Sequence, residues 1–226
     1  NKYNNELLGD IFMIKISPSV LSCDFLTFDD LLPVLKDAGV DMLHLDVMDG
    51  NFVPNMSFGV PVIQSIKNHT DIPLDVHLMI DRPHRYIKDF AKVADWLGFH
   101  YEAGSPVAET LKEIRELGCK SYLTIKPKTK AEEIFEFLPH CDMVLVMSVE
   151  PGFGGQKFMP ESLPKVTALK QEIQRRGLNV EIEIDGGINK ETAPLAVKAG
   201  ATVLVAGSYV FNAEDVAERV KSIKEL

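Results

Sequence analysis

Short apolar runs alternate along the chain with longer charged stretches. Eight runs are rich in aliphatic, β-branched or aromatic residues, and most are continuous rather than alternating, which is typical of parallel strands covered on both faces. The stretches between them have the spacing of amphipathic helices, and several stop at a glycine, as helix C-termini often do. The runs span residues 13–21, 42–48, 74–80, 96–102, 121–126, 143–149, 180–185 and 202–208, and the glycines are Gly39, Gly118, Gly177 and Gly200.

This repeat predicts the fold class, which is α/β with a parallel sheet. Eight β/α units in one chain of 226 residues fit a single closed (β/α)₈ barrel, the TIM barrel. An open doubly wound sheet is the alternative, but the GxGxxG turn that usually follows its first strand is missing. We expect one catalytic barrel domain over residues 13–226. Residues 1–12 are expected to be an N-terminal extension, either disordered or left over from cloning, without a function of its own.

The composition of the chain excludes some classes of protein. A hydrophobic content of 46% with 25% charged residues is typical of a globular domain with a real core, and a net charge of −9 argues against a nucleic-acid surface. No apolar run reaches the roughly 18 residues of a membrane helix, so no membrane partner is expected. The three cysteines form no CxxC pair, which indicates reduced thiols and a cytoplasmic protein.

Histidine and aspartate residues stand where three of the predicted strands meet their loops. His44 and Asp46 are two apart on the second strand and so face the same side, His77 lies near the end of the third, and Asp185 closes the seventh. Strand ends build the active site of such a barrel, so all four could converge on one divalent ion. Two imidazoles and two carboxylates suit Zn²⁺ best, with Fe²⁺, Mn²⁺ or Co²⁺ possible. Asp46 and Asp185 could also form an acid and base pair.

Glycine-rich segments follow the last three strands and resemble a phosphate cradle. Glycine lets backbone N–H groups approach an anion closely, and late loops of these barrels often hold phosphate. The segments contain Gly152, Phe153, Gly154, Gly155, Gly186, Gly187, Gly207 and Ser208. Together with the polar strand ends, they indicate metal-assisted proton abstraction from a sugar phosphate.

Three methionines close the second, third and sixth predicted strands. Core packing is the usual role of methionine, but three at strand ends could instead line the site above the metal. Both interpretations of Met48, Met79 and Met147 stay open at this point.

Several long segments resemble the ribulose-phosphate 3-epimerase family, in order and over nearly the whole chain. They are SPSVLSCDF, LHLDVMDGNFVPN, PLDVHLMI, VMSVEPGFGGQKF, EIDGGI and VAGSYVF. The resemblance implies a barrel of the ribulose-phosphate-binding type. It also implies an isomerase of the pentose phosphate pathway that interconverts D-ribulose 5-phosphate and D-xylulose 5-phosphate through a metal-stabilised enediolate. A homo-oligomer is expected on the same ground.

The resemblance also assigns roles by position. His44, Asp46, His77 and Asp185 match the family's metal ligands, with Asp46 as proton acceptor and Asp185 as proton donor. Ser19 and His77, together with the glycine segments, match its substrate contacts. The fourth strand, WLGFHYEAG, departs in part: His100 and Glu102 keep their places, whereas Trp96 and Gly98 are unusual. Gly98 indicates a bulge or a close packing contact.

Other activities would use parts of the same pattern. An epimerase acting on allulose 6-phosphate would use the same chemistry on one more carbon. A Schiff-base aldolase would need a lysine, and Lys126 ends the fifth predicted strand. A decarboxylase of the related barrels should carry DxKxxD, but the stretch from Asp46 to Asp49 has no lysine. A non-catalytic sugar-phosphate sensor would be expected to lose one of the four metal-site residues, and none is lost.

Overall fold

Eight parallel strands form a single sheet in the computed structural model, which describes residues 14–226. Their order is β1-β8-β7-β6-β5-β4-β3-β2, and the two outer strands meet through a short bridge between Ser19 and His44, which nearly closes the ring. The strands are β1 Lys15–Ser17, β2 Leu43–Met48, β3 Leu74–Met79, β4 Trp96–His100, β5 Lys120–Ile125, β6 Met143–Met147, β7 Glu181–Asp185 and β8 Val203–Val205. The predicted (β/α)₈ barrel is confirmed, while the expectation for residues 1–12 lies outside the described residues.

Helices connect successive strands on the outside of the barrel. They are α1 Phe28–Asp37, α2 Val60–His69, α3 Ile87–Phe90, α4 Val107–Glu116, α5 Leu163–Arg176, α6 Ala193–Ala199, α7 Ser208–Phe211 and α8 Val216–Lys224. A 3₁₀ helix, Ala131–His140, takes the place of an α-helix between β5 and β6, and shorter 3₁₀ turns span Val20–Ser22, Pro83–Arg85 and Pro160–Ser162. The four predicted glycines follow α1, α4, α5 and α6 with positive φ, as expected of helix C-termini.

Each strand divides its side chains between two environments. On β2, the side chains of Leu43, Leu45 and Val47 join the main core, which lies between the sheet and the helices. The intervening His44, Asp46 and Met48 belong to the opposite face, inside the barrel. All six residues are buried, which explains why the sequence shows a continuous apolar run with only isolated polar residues.

Gly98 makes a close packing contact inside the barrel. A Cβ atom at this position would lie 2.0 Å from Cε2 of Tyr122, its direct neighbour on β5. The pairing of β4 with β5 runs unbroken through Gly98, so there is no bulge. The tyrosine ring fills the volume that a side chain on β4 would otherwise occupy.

No helix within residues 14–226 is long and apolar enough to cross a membrane.

Candidate active site

The four polar residues singled out in the sequence meet at one end of the barrel. Ligand atoms of His44, Asp46, His77 and Asp185 all lie within 4.8 Å of one another. His44 Nε2 is 3.2 Å from Asp46 Oδ1 and 3.9 Å from Asp185 Oδ2, and His77 Nδ1 is 3.1 Å from Asp46 Oδ1. The cluster forms because β2, β3 and β7 are parallel and end at the same rim.

The ring of His44 is held so that one nitrogen faces the two carboxylates. Its Nδ1 lies 2.6 Å from Asp75 Oδ2, which also accepts a hydrogen bond from Ser17 Oγ at 3.3 Å. Its Nε2 is buried and makes no hydrogen bond, although Asp46 and Asp185 lie nearby. His44 therefore has one buried, unpartnered nitrogen between two carboxylates, and its other ring nitrogen contacts a third carboxylate, that of Asp75. This arrangement fits the donor set of a divalent cation.

The two carboxylates that face His44 have opposite electrostatic environments. Burial acts to raise the pKa of Asp46, but the attraction of His44 and the contact with His77 outweigh it and hold that pKa well below its usual range. Burial and the nearby Asp46 charge raise the pKa of Asp185 to about 7, against the opposing attraction of His44. Carboxyl groups driven apart in this way are suited to separate base and acid roles.

A layer of polar residues lies beneath the cluster, and sequence reasoning did not single it out. Ser17, Asp75, Tyr122 and Glu183 come from β1, β3, β5 and β7, the alternate-strand arrangement of a barrel layer, and all are fully buried. Burial and the Asp75 charge raise the pKa of Glu183 well above its ordinary value. The spacing offered a signal, because Asp75 and Glu183 stand two residues before His77 and Asp185 and share their side of the strand.

A cavity of about 530 Å³, part of it open to solvent, lies above the cluster. Asp46 and Asp185 reach its floor, whereas His44 and His77 are buried beneath it. The other predicted residues on its wall are Ser19, Met48, Met79, Met147, Gly152, Phe153, Gly154, Gly155, Gly186, Gly187, Gly207 and Ser208. Ser22 and Gln156 line it as well and were not foreseen. All three methionines line the cavity and also pack in buried apolar clusters, so the structure is compatible with both interpretations.

The glycine segments shape one side of this cavity. Gly152, Gly155, Gly186 and Gly187 have positive φ, a conformation that other residues rarely adopt. Gly207 is needed for space instead, because a Cβ there would lie 2.6 Å from Ser22 Oγ. No lysine or arginine of the described chain lines the cavity, so an anion there would meet backbone N–H groups and hydroxyls.

Comparison with known proteins gives one consistent result. A family model described as the ribulose-phosphate 3 epimerase family matches residues 15–211. The ribulose-phosphate 3-epimerase of Bacillus subtilis is 45% identical over 216 residues, covering 95% of this chain and 98% of that protein. The enzymes of the same name from Synechocystis and Methanocaldococcus jannaschii are 44% and 43% identical, covering 93% and 94% of this chain and 93% and 91% of those proteins.

More distant solved structures share the fold alone. A 3-hexulose-6-phosphate synthase superposes with a TM-score of 0.69 at 18% identity, covering 94% of this chain and 99% of that one. An orotidine 5'-phosphate decarboxylase from Pyrococcus horikoshii gives 0.64 at 17% identity, with 93% and 97% covered.

Proposed function

The chain belongs to the ribulose-phosphate 3-epimerase family and is an isomerase of that family, and from this premise we propose that it interconverts D-ribulose 5-phosphate and D-xylulose 5-phosphate. In this proposal one carboxylate removes the C3 proton and the other returns a proton to the opposite face. One observation carries the assignment: Asp46 and Asp185 approach the same buried nitrogen of His44 with pKa values shifted in opposite directions.

Epimerisation at C3 needs two proton-transfer groups. The C2 carbonyl makes the C3 proton acidic, and inversion requires its removal from one face and return on the other. Asp46 stands on β2 and Asp185 on β7, with β1 and β8 between them in the sheet order. Without metal, the pKa of Asp46 is held low, so that it can accept a proton, while burial beside Asp46 raises the pKa of Asp185 to about 7, so that it can hold one. The roles exchange in the reverse reaction.

Two serines hold these carboxylates in place. Ser19 Oγ donates a 2.7 Å hydrogen bond to Asp46 Oδ2, which fixes the orientation of that carboxylate. Ser148 Oγ lies 2.8 Å from the Asp185 carbonyl oxygen and 2.7 Å from that of Gly186, which fixes the backbone at the end of β7. Both acid–base groups therefore rest on rigid strand ends, as precise proton transfer requires.

A divalent metal ion completes the proposed site. His44, Asp46, His77 and Asp185 would hold it, and their donor set suits Zn²⁺ best, with Fe²⁺, Mn²⁺ or Co²⁺ as alternatives. When bound, the ion would supply Lewis-acid stabilisation of the negative charge that develops on the enediolate oxygens.

The residues on the cavity wall support the proposal that the substrate is phosphorylated and is largely shielded from water when bound. In this proposal the phosphate binds to the backbone N–H groups of residues 152–155, 186–187 and 207–208, with Ser19 nearer the reacting carbons. His77 was expected to contact the substrate, but it is fully buried beneath the cavity and would hold the metal instead. Met48, Met79 and Met147 form an apolar, adaptable surface next to the carboxylates and would keep water away from C3.

The test is solvent deuterium exchange at C3 of ribulose 5-phosphate. Asp46→Asn and Asp185→Asn should each abolish epimerisation, with losses of at least about a thousandfold, because each removes one of two required proton-transfer groups. Asp37→Asn, an exposed change on α1, is the matched control and should leave turnover unchanged. Appreciable turnover by a folded Asp185→Asn protein would refute the two-carboxylate mechanism.

The alternative activities are separated by direct measurements. The ratio of kcat/KM for ribulose 5-phosphate to that for allulose 6-phosphate decides between the pentose and hexose substrates. Nothing supports the Schiff-base alternative: the Lys126 ammonium lies 3.8 Å from the centre of the Phe52 ring, and Lys126 is not among the described residues that line the cavity. The homo-oligomer and the cytoplasmic location stay predictions.

A further inference from the structure

We propose that Asn55 and Ser57 are positioning residues that make the loop between β2 and α2 a brace between Asp46 and the phosphate-binding segment 152–155. This β2 loop spans residues 49–59. The inference rests on the proposed function, which assigns proton transfer to Asp46 and phosphate binding to that segment. It concerns two residues that the mechanism above does not use.

The strand that carries Asp46 has an open edge at this point. The chain that leaves β1 makes a short bridge from Ser19 to His44 and then turns away. Alternate residues of a strand direct their backbone N–H and C=O groups to the same side, so Asp46 and Met48 face this edge as His44 does. Because β2 stands last in the sheet order, no strand of the described chain pairs with them there, and buried backbone groups need another partner.

Ser57 supplies that partner. Its Oγ accepts a 3.0 Å hydrogen bond from the Met48 N–H and donates one of 2.5 Å to the Asp46 carbonyl oxygen. One hydroxyl therefore satisfies a donor and an acceptor together, as a neighbouring strand would. The backbone at the proton acceptor is thus fixed by a residue of the β2 loop.

Asn55 anchors the same loop on the far side of the barrel. Its Nδ2 donates a 2.7 Å hydrogen bond to the Gly152 carbonyl oxygen, and its Oδ1 accepts one of 2.9 Å from the Met56 N–H. One partner is an acceptor and the other a donor, so the orientation of the amide is fixed. Gly152 follows β6, which stands four places from β2 in the eight-stranded ring, so the contact joins opposite sides of the barrel.

Packing reinforces the contact with Gly152. A Cβ at this glycine would lie 3.3 Å from Val53 Cβ and 3.6 Å from Pro54 Cδ, so its backbone rests directly against the β2 loop. The loop also closes on itself, because the Asn55 carbonyl oxygen accepts a 2.9 Å hydrogen bond from the Gly50 N–H.

Asp49 stiffens the β2 loop at its start. Its Oδ1 accepts 2.8 Å hydrogen bonds from the N–H groups of Asn51 and Phe52, and its Oδ2 accepts one of 2.8 Å from the Asp81 N–H after β3. The loop is therefore held internally as well as at its two anchors.

The two anchors control the distance between the proton acceptor and the phosphate. Asn55 and Ser57 are two residues apart, so a shift at one anchor passes to the other. The phosphate fixes one end of the substrate while Asp46 meets the reacting carbon, and a misplacement of about 1 Å costs about a hundredfold in rate. A stiff connection between the two sites keeps that distance constant.

Asn55→Asp and Asn55→Ala test the anchor on the phosphate segment. The first keeps the size of the side chain but sets a carboxylate oxygen against the Gly152 carbonyl oxygen, and the second removes the hydrogen bond without adding a charge. Titration with inorganic phosphate, followed by NMR of the backbone amides, should show affinity at least about fivefold weaker in Asn55→Asp and threefold weaker in Asn55→Ala. KM for ribulose 5-phosphate should rise by similar factors. Asn68→Asp, at an exposed position on α2, is the matched control and should bind as the parent does.

Ser57→Ala tests the anchor on Asp46. It leaves the Asp46 carbonyl oxygen and the Met48 N–H without their partner, so kcat should fall at least about tenfold as the carboxylate shifts. Affinity for inorganic phosphate should stay within about twofold of the parent, a separation that general loss of structure would not give. Ser65→Ala, exposed on α2, is the matched control and should change neither quantity.

The double variant tests whether the two anchors belong to one brace. Once one end is cut, cutting the other costs little more. The loss of kcat/KM in Asn55→Ala with Ser57→Ala should therefore be at least about threefold smaller than the product of the single losses. Losses that multiply would show two independent contacts and overturn the brace.

The outcomes separate this inference from the proposed function. Phosphate affinity and KM within about 1.5-fold of the parent in both folded Asn55 variants overturn the inference, and so does an unchanged kcat in folded Ser57→Ala. If the parent does not epimerise ribulose 5-phosphate, the proposed function fails, whereas the phosphate titrations still decide whether Asn55 holds the segment. Thermal unfolding establishes that the variants are folded, and the Asn55 variants remain decisive if Ser57→Ala does not fold.

Discussion

Replacing Gly207 by alanine tests the phosphate cradle directly. Gly207 has a φ of −90°, so the left-handed strain that would accompany the change at Gly186 or Gly187 does not arise. The added Cβ would lie 2.6 Å from Ser22 Oγ and 3.4 Å from the Cβ atoms of Ser19 and Ser22. The methyl group therefore enters the cavity wall where we place the phosphate.

The size of the effect follows from these distances. Only the Ser22 Oγ contact is shorter than atoms tolerate, and where the serine side chain cannot rotate away from the new methyl group, an overpacked position of this kind costs about 1–3 kcal/mol. If displacement of the bound phosphate absorbs that cost, KM for ribulose 5-phosphate rises by about 5- to 150-fold, since about 1.4 kcal/mol corresponds to a factor of ten. The carboxylates are untouched, so kcat should change little.

Steady-state kinetics with two companion variants check this reasoning. Gly59→Ala is the control, because its new Cβ would meet only Pro61 Cδ at 4.0 Å. In a Ser22→Ala background the closest contact disappears, and the penalty of Gly207→Ala should shrink to less than about threefold. An unchanged KM in folded Gly207→Ala would refute the cradle, as would an equal penalty in both backgrounds.

Three further predictions follow from the same geometry. Chelation of metal should abolish C3 deuterium exchange and added Zn²⁺ should restore it; exchange that survives complete metal removal would contradict the metal site. Gly98→Ala should lower the unfolding free energy by about 3 kcal/mol or more in urea titrations, because its Cβ would lie 2.0 Å from a buried Tyr122 carbon; a loss below about 1 kcal/mol would contradict the contact. Burial acts to raise the pKa of Glu102, but its contacts with His100 and Thr129 outweigh it and hold that pKa at about 2, below its ordinary 4.5. The resulting stabilisation, up to about 3 kcal/mol, is present above pH 4.5 and is lost as the pH falls through 2. The difference in unfolding free energy between the parent and Glu102→Gln should therefore shrink on acidification, and a constant difference would rule this out.

The fold and the four-residue cluster could be predicted from the sequence for a simple physical reason. Parallel strands covered on both faces must be apolar throughout, so a polar residue near the end of such a run, such as Asp185, is conspicuous. A closed parallel barrel brings every strand's C-terminal end to one rim, so position along a run was enough to expect His44, His77 and Asp185 in one place. The glycine segments follow the late strands, so their position along the chain was enough to expect them at the same rim.

The ends of the strands were predicted less well. The first run extends over residues 13–21, but β1 covers only Lys15–Ser17, and the eighth extends to Ser208, which instead begins α7. Apolar character continues into the first loop residues because they also face the interior, whereas the strand stops where pairing with its neighbours stops.

The sequence by itself therefore determined which strands carry the chemistry, because hydrophobic periodicity and strand-end position are local properties. Only the tertiary structure decided how that chemistry is tuned. Asp75, His100 and Glu102 act on their partners across strands 23 to 31 residues apart or through the loop after β4. Their hydrogen bonds, and the opposite pKa shifts of Asp46 and Asp185, depend on distances of 2.6 to 3.9 Å between side chains that no linear pattern records.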